Sequence, residues 1–246
     1  MSFESYSDCI LQSYILHPKA AEILKRKHEI LTEVSKFHNY NPDTILYVGF
    51  NPAILIDKTK HIFVTLHSKK AIEFLTAEGI KFTDIPFDQL AKFKKNFDAV
   101  IALDEFFTFS KNDQSQKELV NLICNITKEY IITTCRDYKN QEYKDREFSS
   151  PAIIRHNNSK TIYLEFHDHD LQDRNTWQSE VFEIQNNQLN TIGPFDRRAL
   201  FFKQLAKFTA DNNAVDFIVH KNLMYKSIIK KNYEHVISIR FENNES

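Results

Sequence analysis

Short apolar runs and helical patterns alternate along the first half of the chain. The runs lack the in-and-out alternation of a half-exposed strand, so each predicts a strand that is buried on both faces, as in a parallel sheet. A helical region, divided at Pro18, precedes the first run. The predicted strands are Ile45–Gly49, His61–His67, Ile80–Ile85, Phe97–Glu105 and Tyr130–Cys135. This order predicts an α/β fold with a doubly wound, mostly parallel, Rossmann-like sheet.

The pattern changes after Arg136, where long helical periodicity ends. Alternating segments separated by polar turns that contain Asn predict two antiparallel β-hairpins. Their strands are Ala152–Ile154 with Thr161–Leu164, and Glu180–Ile184 with Leu189–Ile192. We interpret residues 136–195 as a β-rich insertion over the functional edge of the parallel sheet.

Helix and strand alternate again in the last part of the chain. Helices are predicted at residues 197–210 and 223–231, and strands at residues 217–219 and 235–241, the last of them antiparallel. No repeat or low-complexity linker interrupts the pattern. We therefore expect a single domain, residues 1–246, with an N-terminal helical region at residues 1–40.

The composition agrees with a single globular domain. The chain has 246 residues, of which 42% are hydrophobic and 26% charged, and its formal net charge is -1. This charge predicts no whole-chain attraction to nucleic acid or acidic lipid. Three scattered cysteines without a CxxC pair indicate a reducing compartment. The polar N-terminus and the lack of a long apolar run predict a cytoplasmic protein with no membrane partner.

The turn after the first predicted strand is the first place to expect a ligand. Its sequence is Tyr47-Val48-Gly49-Phe50-Asn51-Pro52-Ala53. Gly49 can adopt a positive φ, and in open α/β sheets ligands bind beyond the carboxyl ends of the strands. Asp84, Asp104 and Glu105 end two further predicted strands at the same edge. Three converging carboxylates exceed what helix caps require, and Asp104 is the best single candidate for ligand contact.

The order of elements and this turn together resemble the class I S-adenosylmethionine-dependent methyltransferase superfamily, over most of the chain. In that family the first strand ends with an acidic residue, any residue and a glycine, and then small residues whose backbone approaches the methionine part of the cofactor. Gly49 keeps the first glycine, whereas Asn51 and Ala53 replace the next two. The resemblance implies a transferase that uses S-adenosylmethionine. It places this cofactor at Tyr47, Gly49, Phe50, Asn51, Ala53, His67, Asp84 and Asp104.

Two positions depart from the family pattern. Tyr47 and His67 stand where the family has carboxylates, and a buried ligand group left without its partner costs about 1–3 kcal/mol. Both side chains can still form hydrogen bonds. The sequence is therefore compatible with a working methyltransferase of unidentified acceptor and with an inactive, methyltransferase-like binding or structural module.

A third alternative comes from the same turn. Gly49-Phe50-Asn51-Pro52-Ala53 also looks like the Gly-x-Asn-Pro-Gly motif of mismatch-type uracil-DNA glycosylases, in which the Asn positions a water. No matching second motif follows near the C-terminus, so a glycosylase-like enzyme is the lesser alternative.

Methyl transfer needs a base only if the nucleophile of the acceptor must lose a proton. The candidates for that base are Asp104, Glu105 and His220. Candidate contacts of the acceptor follow the fifth predicted strand or lie where the resemblance places substrate-facing loops. They are Arg136, Tyr138, Lys221 and Tyr225.

The segment His167-Asp168-His169-Asp170 alternates two residue types that bind metals. Its two histidines share one face of an extended segment, but the sequence shows no third ligand cluster. We therefore expect no metal site.

The segment from Arg197 to His235 contains eight Lys or Arg residues against three acids, with aromatic residues between them. Basic residues among aromatics suit a nucleic-acid backbone with stacked bases, although these aromatics also fall at the spacings of a protein core. The sequence thus allows a nucleic-acid partner, bound through Lys221, Lys226, Lys230 and Lys231.

Overall fold

The described part of the chain folds into two sheets and five α-helices. The computed structural model describes residues 3–56, 58–66, 68–138, 146–148, 151–156, 159–173, 175–226 and 233–242. The helices are α1 (Phe3–Leu16), α2 (Ala20–His38), α3 (Lys69–Ala77), α4 (Asp113–Ile126) and α5 (Phe202–Ala210). The first sheet contains β1 (Ile45–Tyr47), β2 (His61–Val64), β3 (Lys81–Asp84), β4 (Phe97–Ala102), β5 (Thr127–Cys135), β11 (Ala214–Lys226) and β12 (Tyr233–Phe241). The second sheet contains β6 (Arg146–Phe148), β7 (Ala152–His156), β8 (Ser159–His169), β9 (Thr176–Gln185) and β10 (Gln188–Arg198).

The first sheet confirms the predicted doubly wound, mostly parallel fold. Its strand order is β3-β2-β1-β4-β5-β12-β11. Strands β1 to β5 run parallel, with Tyr47 paired to Val64 of β2 and to Ile101 of β4. Strand β12 runs antiparallel between β5 and β11. The carboxyl ends of β1, β4 and β5 therefore meet at one edge of the sheet.

Helices cover both faces of this sheet, which explains why its strands are uniformly apolar. Helices α1, α2 and α3 enclose one hydrophobic core, and α4 and α5 enclose the other. Each fully buried Leu or Ile contributes about 1.5–3 kcal/mol to stability. Helix α3 shows the local signals well, because Oγ of Ser68 accepts from the N–H of Ala71 at 3.1 Å and Gly79 follows the last turn with φ +73°.

The second sheet contains the two predicted hairpins. Its strand order is β10-β9-β8-β6, and β7 also pairs with β8. Ala152 is paired with Tyr163 in the first hairpin. In the second hairpin the turn falls at Asn186 and Asn187, which both have positive φ, as a two-residue hairpin turn requires.

Helix α1 bridges the two sheets. Tyr6 is fully buried, and its ring centre lies 5.8 Å from that of Phe195 in β10. Further along the helix, the ring centre of Tyr14 lies 6.3 Å from that of Phe50, just after β1. The helix therefore covers the carboxyl edge of the first sheet on the side that faces the second sheet.

Two predicted helices are wrong in part. Strand β10 continues to Arg198, so helix α5 begins at Phe202 rather than at residue 197. Strand β11 continues to Lys226, where a helix was predicted from residue 223, because it stays paired with β12 across an irregularity between His220 and Met224. Strand pairing thus outweighs a local helical pattern. Residues 227–231 of that predicted helix lie outside the described residues.

Two further expectations concern the cysteines and the membrane. Cys9, Cys124 and Cys135 are all buried and free. Burial raises the pKa of the Cys124 thiol to about 12, so it stays protonated. Among the described residues, no helix has the length and apolar character needed to cross a membrane.

Candidate active site

The turn after β1 has the backbone conformation that its glycine predicts. Gly49 has φ +73°, and its N–H donates to Oγ1 of Thr65 at 3.1 Å. Oδ1 of Asn51 accepts from the N–H of Ala53 at 2.8 Å and so caps the short 3-10 helix Pro52–Leu55. Nδ2 of Asn51 is buried and has no hydrogen-bond partner among the described residues. Asn51 is therefore both a helix cap and a buried donor available to a ligand.

The other predicted cofactor residues occupy different places. Phe50 and Ala53 are core residues, 2% and 4% exposed. Tyr47 lines a cavity of about 280 Å³ between α2 and the sheet. Asp84 ends β3, and its Oδ1 accepts from a backbone N–H just past β2 at 2.8 Å, which ties these two strand ends together. His67 lies outside the described residues.

Strand β4 is followed by a turn with unusual backbone angles. Asp104 and Glu105 have φ 58° and 56°, in the left-handed region that costs about 1–3 kcal/mol for a residue other than glycine. Both side chains are buried, with 3% and 1% exposed. Strain of this kind persists only where surrounding contacts hold it, and it is concentrated at functional sites. The turn therefore makes this end of β4 a candidate for part of a site.

The carboxylate of Glu105 has partners on both oxygens. Its Oε2 lies 3.0 Å from Nη2 of Arg136 and 3.7 Å from Nη2 of Arg197. Its Oε1 accepts from the hydroxyl of Tyr138. Burial, followed by the charge of Glu105, raises the pKa of Tyr138, so the hydroxyl remains a donor. This Glu105 cluster joins the ends of β4 and β5 to β10.

The carboxylate of Asp104 is only half satisfied. Its Oδ2 accepts from the hydroxyl of Tyr225 at 2.9 Å. Its Oδ1 is buried and has no hydrogen-bond partner among the residues that the structure describes. Burial, followed by the charges of Asp104 and Glu234, raises the pKa of Tyr225 and keeps it protonated. Asp104 therefore has an acceptor oxygen available to a ligand.

Lys27 of α2 completes this second group of charges. Its side chain is buried, and Nζ lies 3.7 Å from the centre of the Tyr225 ring. The same ammonium donates to the backbone oxygen of Lys226 at 3.3 Å. Burial lowers the pKa of Lys27 to about 8, although the charges of Asp104 and Glu234 oppose this shift. We call Lys27, Asp104, Tyr225 and Glu234 the Asp104 cluster.

The two clusters and their neighbours form one group of buried polar side chains between α1, the carboxyl edge of the first sheet and the second sheet, and we call this group the compartment. Burial raises the pKa of Tyr6 in α1, and the charges of Glu165 in β8 and of Asp104 raise it further. Tyr6 therefore lies near carboxylates of both sheets. The described charged groups are the carboxylates Asp104, Glu105, Glu165 and Glu234, and the cations Lys27, Arg136 and Arg197. The excess of carboxylates favours a cationic ligand.

The remaining predicted residues lie elsewhere. His220 is half-buried on β11, and its Nε2 lies 2.8 Å from Oγ of Ser238, which also lies 2.8 Å from Nε2 of His38. This histidine pair packs against α2 rather than in the compartment. Lys221 is exposed. The structure thus brings Arg136, Tyr138 and Tyr225 together with Asp104 and Glu105, but not His220 or Lys221.

In the folded chain, two arginines of the segment predicted to bind nucleic acid are paired with carboxylates. Arg197 belongs to the Glu105 cluster, and Arg198 is paired with Asp113 and Asp173. Lys226 is exposed, with Nζ 5.3 Å from the centre of the Tyr233 ring. Lys230 and Lys231 lie outside the described residues. A nucleic-acid partner stays a prediction.

Lys27, Tyr6 and Glu234 belong to this candidate site but were not predicted from the sequence. Lys27 lies in a run of charges that predicts a solvated helix face. One signal was present, because Lys27 stands three residues before Ile30 and seven before Val34, in phase with the buried stripe of α2. A lysine at that position of an apolar stripe is a candidate for burial.

Comparisons with known proteins bear on the fold of the chain. No family model matches the chain, and no curated protein sequence does. The CcbJ methyltransferase from Streptomyces caelestis superposes with a TM-score of 0.63 at 12% identity, over 89% of this chain and 96% of that one. A sugar N-methyltransferase from a Streptoalloteichus species gives a TM-score of 0.62 at 7% identity, over 89% and 88% of the two chains. The S-adenosylmethionine-bound amino pentose methyltransferase from Micromonospora echinaspora gives 0.57 at 8% identity, over 92% of each chain. At these identities the comparisons show a shared fold.

Proposed function

We propose that this chain, which has the fold of the class I S-adenosylmethionine-dependent methyltransferases, binds S-adenosylmethionine at the carboxyl edge of β1 and β4. It then transfers the methyl group to a small acceptor in the buried compartment. The observation that carries the proposal is Asp104, a strained and buried carboxylate with one oxygen that lacks a partner among the described residues.

The residues at this edge fit the chemistry of the cofactor. S-adenosylmethionine carries a positively charged sulfur and an amino group, and the compartment has more carboxylates than cations. Oδ1 of Asp104 can accept from the cofactor or the acceptor, and Nδ2 of Asn51 can donate to a carboxylate. Gly49, with φ +73°, allows the backbone to approach a ligand closely.

Bound S-adenosylmethionine would supply an activated methyl group for an in-line displacement. The chain then has to hold the nucleophile in line and keep water out, which a buried compartment under α1 does. Where the nucleophile must lose a proton, Nζ of Lys27 can accept it, because its pKa of about 8 leaves a neutral fraction near neutral pH. Asp104 and Glu234 then face the ammonium that forms.

Lys27 suits this role better than two of the three bases expected from the sequence, Glu105 and His220. Both oxygens of Glu105 have partners, and His220 lies outside the compartment. The buried polar side chains at this edge favour a small acceptor that carries an amine or hydroxyl. Two of the structural neighbours are named for amino sugar or sugar nitrogen methylation, which supports the same class of acceptor.

Isothermal titration with S-adenosylmethionine and S-adenosylhomocysteine tests the proposal. We expect the wild-type chain to bind both with dissociation constants on the order of micromolar. Asp104→Asn should weaken binding by about 10- to 100-fold, because the buried acceptor is lost. Asp216→Asn makes the same chemical change on β11, where Asp216 pairs with Arg240, and should leave binding unchanged.

Failure of the wild-type chain to bind either compound at millimolar concentration would favour the second candidate, an inactive methyltransferase-like binding module. Tyr47 supports this second candidate, because it replaces a family carboxylate and lines the cavity under α2. The glycosylase alternative is not proposed, because Oδ1 of Asn51 is engaged as a helix cap and the structural neighbours are methyltransferases.

A further inference from the structure

Two histidines and a glutamate converge on the inner face of the second sheet. His167 and His169 are two residues apart on β8 and so point to the same face. Glu147 of β6 is directly opposite His167 in the antiparallel register. One ligand atom from each of the three side chains lies within 4.8 Å of the other two. The arrangement provides three metal-binding atoms from two paired strands.

The surroundings of these residues are buried and polar. His167 and His169 are 5% and 6% exposed, whereas Glu147 is partly exposed. Oε1 of Glu165, on the same face of β8, lies 3.2 Å from Nε2 of His167. Nε2 of His167 has no hydrogen-bond partner among the described residues, so this contact is one of distance and charge, and the ring still has a nitrogen available to a metal.

Strand β9 adds two unsatisfied groups on the other side of β8. Ser179 is opposite His167 and Trp177 is opposite His169. Oγ of Ser179 and Nε1 of Trp177 are buried, and neither has a hydrogen-bond partner among the described residues. A buried hydroxyl and a buried indole N–H without partners indicate that this face is built to receive a polar ligand.

We propose that Glu147, His167 and His169 bind a divalent transition metal of the zinc class. Two imidazoles and one carboxylate form a recurrent ligand set for such ions and leave a coordination position open. Metal–ligand bonds of about 2.0–2.2 Å put tetrahedral ligand atoms roughly 3.4 Å apart. The three ligand atoms are at most 4.8 Å apart, and rotation of the side chains brings them to this spacing when the metal binds. A water in the open position can hydrogen-bond to Ser179 or Trp177.

This site is separate from the proposed cofactor site, but close to it. The ring centre of Trp177 lies 5.8 Å from that of Tyr138, which binds Glu105. A metal here joins β6 to β8 beside the compartment. The inference does not depend on methyl transfer, and metal binding can be measured without any cofactor.

The fluorescence of Trp177 gives a direct test. Trp177 is the only tryptophan in the chain, and the ring centres of His167 and His169 lie 5.9 Å and 5.5 Å from it. Titration of the chelator-treated full chain with Ni²⁺ should quench the emission and saturate at one equivalent. Zn²⁺ should then displace Ni²⁺ and restore the emission. Absence of quenching at 100-fold molar excess of Ni²⁺ would overturn the proposal.

Variants locate the ligands. His169→Ala and Glu147→Gln should each weaken Ni²⁺ and Zn²⁺ binding by at least about 100-fold, because a ligand is removed. Asp168→Asn is the matched control, since Asp168 lies between the two histidines on the outer face and pairs with Arg146. It should bind both metals like the wild type.

Glu147 keeps the test decisive if a histidine variant does not fold, because its side chain is partly exposed and its loss leaves no buried gap. Circular dichroism checks that each variant is folded. Unchanged metal affinity in folded Glu147→Gln, or equal loss in Asp168→Asn, would place the metal elsewhere and contradict the proposed ligands.

Discussion

Asp104 and Glu105 are consecutive, buried and strained in the same way, yet their surroundings differ. Glu105 has two arginines and a tyrosine around its carboxylate. Asp104 has one tyrosine, with a second oxygen that has no partner among the described residues, and a lysine whose pKa burial lowers to about 8. The left-handed turn points two neighbouring carboxylates into two different clusters.

This difference in partners distinguishes a carboxylate that holds the structure together from one that can bind a ligand. A buried carboxylate whose oxygens are all bound has little left to offer a ligand, and its removal exposes the arginines as unpaired charges. A buried carboxylate with one oxygen that accepts no hydrogen bond carries a desolvation penalty, and a ligand that donates to this oxygen offsets it. We infer that Glu105 holds the two sheets together, whereas Asp104 serves the site.

The largest expected effect is on stability, at Glu105. Glu105→Ala should lower the free energy of unfolding by about 3–5 kcal/mol, because Arg136 and Arg197 lose their buried partner. Asp104→Asn should cost less, about 1 kcal/mol, because the amide oxygen can still accept from Tyr225 and Lys27 keeps Glu234 as a neighbouring carboxylate. Urea unfolding at pH 7 measures both. Similar losses in the two variants would remove the distinction between the clusters.

The next effect is a pH dependence that belongs to the Asp104 cluster. The pKa of Lys27 is about 8 in the folded chain, below its ordinary value of 10.5, because burial disfavours the ammonium. Between these values the unfolded chain holds a proton that the folded chain lacks, so stability should rise with pH across this window. The full gain is roughly 3 kcal/mol, and it is absent below pH 8 because both states are then protonated.

The control for this prediction is Lys27→Met, which keeps an unbranched apolar stem without the charge. Urea unfolding from pH 7 to pH 10 gives the unfolding free energy of the wild type and of the variant. The difference between the two isolates the contribution of Lys27, because the tyrosines and cysteines titrate in both proteins. A constant difference would show that Lys27 does not titrate in this range. If Lys27 also accepts the acceptor's proton, the rate of methyl transfer should rise through about pH 8 in the wild type alone.

The sequence predicted the first sheet well because its strands are buried on both faces. The apolar runs of β1, β4 and β5 need no partner to be recognised. The hairpin with its turn at Asn186 and Asn187 was also visible, because alternation and turn residues are local signals. The continuation of β11 to Lys226 could not be predicted from the sequence, because it depends on pairing with β12 rather than on local preference.

The candidate site was predictable only where it follows strand ends. Asp104 and Gly49 lie directly after apolar runs, and topology places such residues at one edge. Lys27 comes from a helix that packs over that edge, and Glu147 meets His167 through an antiparallel register across residues of the insertion. Neither contact is encoded by spacing along the chain, because both depend on how separate elements pack.

The last comparison concerns the two tyrosines that bind these carboxylates. Tyr138→Phe removes one donor from Glu105, which keeps both arginines, so we expect a loss of about 1 kcal/mol in the free energy of unfolding. Tyr225→Phe removes the hydroxyl that binds Asp104, and we expect a loss of about 2–3 kcal/mol because both oxygens of a buried side chain then lack a hydrogen-bond partner among the described residues.

The same pair of variants also separates the clusters by ligand binding. Tyr225→Phe should weaken S-adenosylmethionine binding, because Asp104 loses the hydroxyl that fixes its orientation, whereas Tyr138→Phe should leave binding unchanged. Titration calorimetry at one pH, on variants shown to be folded, measures both. Weaker binding in Tyr138→Phe alone would assign the ligand to the Glu105 cluster, because only a ligand in contact with that cluster would respond to the loss of its hydroxyl.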